Sequence, residues 1–256
     1  MLPIGSDDTD LRDQPFLTYA IIAENVFVFF VLQDFGRNER FTYGYALVPY
    51  EFLSGHDLVT QGDYLVDMTK QKIVAEIPQG FLHLQPSPEP VYLTLLSSMF
   101  MHGSLMHLLG NMLFLLIFGK HLEDALGMFR FLIFYLVAGV SASLIHILFS
   151  QEVPSIVIPC LGASGAVSGV MAAYVMLFPH KLIQALVGFL PIAVPAWVFI
   201  GVWFIFQLIN GMGTFGDPTG GGIAYAAHIG GFLVGLALIV PFSTGREIEE
   251  SYWRYH

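Results

Sequence analysis

The chain has 256 residues, of which 55% are hydrophobic and only 12% charged. Soluble domains carry about a quarter charged residues, so this composition argues against a water-soluble monomer, and 14% aromatics argue against disorder. A net charge of −10 with no basic run argues against a nucleic-acid partner, and the single cysteine, Cys160, forbids an internal disulfide or a multi-cysteine metal site.

Residues 1–15 form an acidic tail carrying Asp7, Asp8, Asp10 and Asp13. It lacks the basic start of a cleavable signal peptide, so the apolar stretch 16–33 reads as a first membrane span. Glu24 and Asn25 interrupt that span and are expected to be satisfied inside the bundle. A long loop follows at 34–102, polar and Pro-punctuated over 55–90, with an apolar piece, Val91–Met101, too short to cross a bilayer. Residues 90–119, 131–151, 153–180, 182–216 and 218–245 contain no Asp, Glu, Lys or Arg. Each interval can hold the roughly 20 apolar residues that a span needs. The pattern predicts an all-α membrane protein with six transmembrane helices near 16–33, 103–119, 129–149, 160–178, 193–210 and 222–242. A short tail, 243–256, closes the chain.

An even number of spans puts both termini on one side, together with Arg12, Lys120, Arg130, Lys181, Arg246 and Arg254. The other side has only Arg37, Arg40, Lys70 and Lys72, all in the long first loop, which counts little for orientation. Both termini are therefore expected in the cytoplasm, with the first loop external. The expected location is the cell (inner) membrane.

Polar groups inside a bilayer are costly and mark function. The second span opens with His102, then His107 and Asn111, four apart and so on one face. The fourth opens with Gly162-Ala163-Ser164-Gly165, and the sixth carries His228. All three spans begin at the outer face, so these groups share one level. Ser164, Gly165, Ser168, Gly169 and Ala172 form a stripe of small side chains, as do Gly231 and Gly235 beside His228. Such stripes let backbones approach closely in lipid, which a short serine needs to reach a histidine. Taken alone, Gly162–Gly165 is more often a packing patch and His228 a structural histidine. Their joint placement with His107 and Asn111 favours a catalytic site.

At these residues the sequence resembles the rhomboid family of intramembrane serine proteases. H-x4-H-x3-N reads His102, His107, Asn111; G-x-S-G reads Gly162 to Gly165; A-H-x-x-G-x3-G reads Ala227, His228, Gly231, Gly235; E-x-x-L-G reads Glu123, Leu126, Gly127. Leu93 and Thr94 stand where many members have Trp-Arg, and Ser168 where some have a tyrosine that stacks on the histidine. The resemblance implies a six-helix rhomboid-like bundle over 16–242, with His102 holding the first loop. It also implies lateral substrate entry with the fifth helix as gate, for which Trp197, Phe199, Trp203 and Phe204 are candidates.

The implied chemistry is acyl transfer by a Ser164–His228 dyad without a third carboxylate. Asn111, His107, the Ser164 N–H and the turn at Gly162 are the candidate oxyanion site, while Gly165, Gly231, Gly235 and Glu123 are candidate supports. Expected partners are single-span or multi-span membrane proteins and the lipid bilayer, with no cofactor or metal. Competing functions are a non-catalytic client-binding relative, against which the intact Ser164 and His228 argue, and a transporter, which would need polar residues through the whole bilayer depth.

Overall fold

The computed structural model describes residues 1–9, 11–77, 83–88, 90–213 and 221–245. Asp10, the 214–220 segment and Arg246 with Arg254 in the expected closing tail lie outside the described residues. In lipid no water satisfies the backbone, so charge-free intervals settle as helices; about 60% of the described residues are helical.

Strand β1 (Leu2–Ser6) precedes α1 (Phe16–Phe27), which a wider π turn extends through Leu32. The N-cap of α1 is Pro15, with no side-chain cap of its own. A distant carboxylate takes its orphan N–H groups. Glu123 Oε1 accepts from Leu17 N–H (2.9 Å), and Oε2 accepts from Thr18 N–H and Thr18 Oγ1–H (both 2.7 Å). An anion there also suits the positive end of the helix dipole.

The first loop folds into α2 (Glu39–Tyr45), α3 (Pro49–Ser54) and three antiparallel strands, β2 (Leu58–Gln61), β3 (Tyr64–Asp67) and β4 (Lys72–Glu76), in the order β2-β3-β4. Gly62, at φ +62°, makes the tight β2–β3 turn. The sheet closes over a small core of Val48, Leu58, Leu65, Ala75, Ile77, Leu84 and Val157. The apolar piece at 91–100 is helical, with α4 (Thr94–Ser97) at its centre.

Helix α5 (Leu105–Phe114) passes through a π turn into α6 (Lys120–Leu126), and α7 (Met128–Phe149) follows. Then come α8 (Ser164–Leu177), β5 (Leu182–Val187), β6 (Leu190–Pro195), α9 (Ala196–Gly213) and α10 (Gly221–Ser243). Leu105–Leu126, Met128–Phe149 and Tyr225–Ser243 are long and apolar enough to cross a membrane. Phe16–Leu32, Ser164–Leu177 and Ala196–Gly211 are shorter apolar helices in the other three expected intervals. Residues Gly165–Tyr174 of α8 are all buried, making α8 the central helix of the bundle.

Several expectations are corrected. The chain is mostly helical rather than all-α, since the described residues also hold two three-stranded sheets. The first residues are not a free tail: β1 pairs with β5, giving the sheet β1-β5-β6. The β5–β6 hairpin lies in a charge-free stretch whose strands carry a single polar side chain, Gln184, too little to show a strand alternation, and the fifth helix starts at Ala196 rather than 193. The second span runs on to Leu126 because its late charges are paired, Lys120 with Asp8 and Glu123 with α1. The fourth starts at Ser164, not 160. Asn25 is buried and donates to Ile21 O (2.7 Å), whereas Glu24 is exposed; adjacent helix residues point about 100° apart.

Candidate active site

Ser164 is the first residue of α8. Two residues earlier, Gly162 has φ +123°, a conformation that side-chain-bearing residues rarely adopt. The first loop grips this approach by its backbone. Gly162 N–H donates to Ser98 O (2.8 Å), Cys160 N–H to Leu47 O (2.7 Å) and Leu47 N–H to Cys160 O (3.0 Å). The loop is thus structurally part of the site.

Helix α10 brings His228 to Ser164, with Ser164 Oγ 2.8 Å from His228 Nε2. The two backbones touch: a Cβ on Gly231 would overlap Gly165 O, and one on Gly235 would overlap Gly169 O. A Cβ on Gly165 would lie 2.6 Å from Ala142 Cβ of α7. Any larger residue at these positions would push the helices apart and lengthen the Ser164–His228 contact. Ser168 turns inward, its Oγ–H donating to Ser164 O (2.7 Å), and does not reach His228. The partner of the other ring nitrogen is Gln207 of α9, whose Oε1 is 2.9 Å from His228 Nδ1. Gln207 escaped the sequence reading. Its one sequence signal is an amide side chain inside an apolar span, which it shares with Asn210.

His107 and Asn111 face the Gly162 turn. A Cβ on Gly162 would lie 2.7 Å from His107 Cε1, 2.8 Å from His107 Nε2 and 3.7 Å from Asn111 Nδ2. The missing side chain therefore leaves a small space beside two nitrogen-bearing groups. Ser104 Oγ accepts from His107 N–H (3.2 Å) and starts α5 there. His102 lies behind, its Nε2 3.0 Å from Asn111 Nδ2. Its backbone N–H donates to Gln33 Oε1 (2.9 Å) and its carbonyl accepts from Gln33 Nε2 (3.0 Å). His102 thereby ties α5 to the end of the first helical stretch.

A cavity of about 100 Å³ opens beside Ser164, walled by Met99, Gly139, Ala142, Ser143 and Ala227. Of the four aromatic candidates on α9, Trp197 is exposed. Phe199 is buried against Phe114 and Phe118 of the second span, with ring centroids 6.2 and 6.1 Å away. Phe204 stacks on Phe232 at 4.3 Å, and Trp203 lies 6.2 Å from Phe232 and 6.3 Å from the His228 ring. Among the described residues no cluster of three His, Cys, Asp or Glu could hold a metal ion.

Membrane-length helices around a hydrogen-bonded Ser–His pair define a helical membrane protein with a candidate hydrolase site. The rhomboid domain model matches residues 89–244, and the chain belongs to the rhomboid family. It is similar to Rhomboid protein 1, mitochondrial, of Saccharomyces cerevisiae, with 33% identity over 159 residues, 62% of this chain and 44% of that one. Rhomboid protease GluP of Bacillus subtilis is 31% identical over 160 residues, 59% of this chain and 30% of that one. Rhomboid protease AarA of Providencia stuartii is 28% identical over 165 residues, 57% and 54% of the two chains. The chain thus spans less than two thirds of the length of each of these relatives.

Proposed function

We propose that the protein is an intramembrane serine endopeptidase that cleaves membrane-protein substrates near the extracytoplasmic end of a transmembrane helix. The observation that carries this is the 2.8 Å contact between Ser164 Oγ and His228 Nε2. His228 Nε2 takes the Ser164 proton as Oγ bonds to the scissile carbonyl carbon. The same proton then goes to the leaving amine as the C–N bond breaks, and water activated by His228 releases the acyl group. The oxyanion is received in the space at Gly162, by His107, by Asn111 Nδ2 and by the Ser164 N–H at the start of α8. First-turn N–H groups have no intrahelical partner and favour an anion.

The domain reading is a six-span unit over 16–242 with both termini cytoplasmic. Arg12 and Lys120 pair with Asp124 and Asp8, and Arg130 binds the carbonyls of Phe242 and Thr244. These cations gather at the opposite end from Ser164, as the positive-inside rule requires. The small cavity suits a small side chain next to the cleaved bond. Lateral entry past α9 fits its aromatic contacts, with Phe199 anchoring the inner end and Trp203 and Phe204 lining the outer half. Gly165, Gly231 and Gly235 keep α8 and α10 in contact, while Glu123 caps α1.

The test is cleavage of a single-span reporter by the purified protein in detergent, with the new N-terminus mapped by mass spectrometry. A cut within the outer few residues of the reporter helix is expected. A cut at the cytoplasmic end would overturn the orientation.

A further inference from the structure

His228 has two ring nitrogens, and only Nε2 faces Ser164. Its Nδ1 is 2.9 Å from Gln207 Oε1. An amide oxygen only accepts, so Nδ1 carries the proton and Nε2 presents its lone pair to Ser164. The placement of Gln207 is independent support. On α9, Ile205, Phe206 and Ile209 are 55%, 58% and 59% exposed, on the face turned to lipid, while Gln207 is 6% exposed. An amide in an apolar span is costly unless paired, and His228 supplies the pairing.

We propose that Gln207 is a positioning residue, holding His228 in the tautomer and orientation that aim Nε2 at Ser164. The inference rests on the dyad reading above. Because Gln207 rides on α9, the dyad is set only while α9 lies against α10. Displacing α9 to admit a substrate releases His228, and its return resets the base. The other titratable groups acting on His228 are His107 of α5 and His146 of α7, and the Tyr225 ring contacts it edge-on.

The test compares the purified full chain with Gln207→Leu and Gln207→Glu in detergent. Three readouts serve: fluorophosphonate labelling of Ser164, kcat and KM on the reporter, and the imidazole 15N signals of His228. Losing the orienting carboxylate of a soluble triad costs about 10⁴-fold. For a neutral amide the expected loss in Gln207→Leu is about 10- to 100-fold in kcat and labelling, with KM within about twofold. Its 15N signals should show the Nδ1–H tautomer giving way to a mixture. Gln207→Glu keeps the acceptor and adds charge, so it should stay active with the acid limb of its pH–rate profile moved to higher pH. Wild-type labelling rates in Gln207→Leu, or an unmoved profile in Gln207→Glu, would overturn the proposal; the glutamate variant decides if the leucine variant does not fold. Absence of Ser164 labelling in the wild type would instead remove the dyad reading, and this inference with it.

Discussion

Gly162 shows how much a missing side chain can do. Its φ of +123° turns the chain toward Ser164, and the space its Cβ would fill lies within 3 Å of His107. Gly162→Ala should therefore push the imidazole out of line and strain the turn. The expected loss is about 10²- to 10³-fold in kcat, the usual effect of removing one oxyanion donor. Circular dichroism and gel filtration should show a folded variant; an undiminished kcat would contradict the assignment. Ser164, His107, Asn111 and His228 were legible in the sequence because polar groups stand out in apolar spans. Gln207 stands in none of the motifs that carry the family resemblance, and only three-dimensional packing shows that it meets His228.

At the scale of elements, the first loop is a folded unit, and Glu51 of α3 is its pin. Glu51 is 1% exposed; Oε1 accepts from Leu58 N–H (2.9 Å) and Oε2 from Ser87 Oγ–H (2.9 Å). Burial raises its pKa to about 7 from 4.5, against those two hydrogen bonds and with help from the nearby Asp57. The folded loop thus binds a proton more tightly than the unfolded one. This stabilisation is complete below about pH 4.5 and is lost as the pH rises through about 7. Asp67 behaves oppositely. Burial opposes its charge, but hydrogen bonds from Lys70 N–H, His56 and Tyr50 bring it down to about 2, so its contribution is present above 3.8 and is lost as the pH falls through about 2. Hydrogen exchange over residues 49–61, corrected for intrinsic rates, should show more protection at pH 5 than at pH 8, and Glu51→Gln should remove the difference. Equal protection at both pH values in the wild type would count against this. The individual strands of this loop are not legible in the sequence, since they are only four or five residues long. The long helices were visible because a charge-free run of about 20 apolar residues matches the width of a bilayer.

Across the whole molecule, the spacing of charges separates two ends with different work. One end holds the ion pairs of Lys120, Asp8, Arg12 and Asp124, together with the β1-β5-β6 sheet. The other holds the first loop, which clamps the approach to Ser164 through Leu47 and Ser98. Between them, α8 and α10 lie close enough for a serine to reach a histidine. The central claim is that this pair is a working nucleophile and base. It is tested most directly by a fluorophosphonate probe applied to the wild type, Ser164→Ala and His228→Ala side by side. The wild type should be labelled at Ser164, and neither variant should be labelled. Labelling of His228→Ala at the full wild-type rate, or no labelling of the folded wild type, would contradict it.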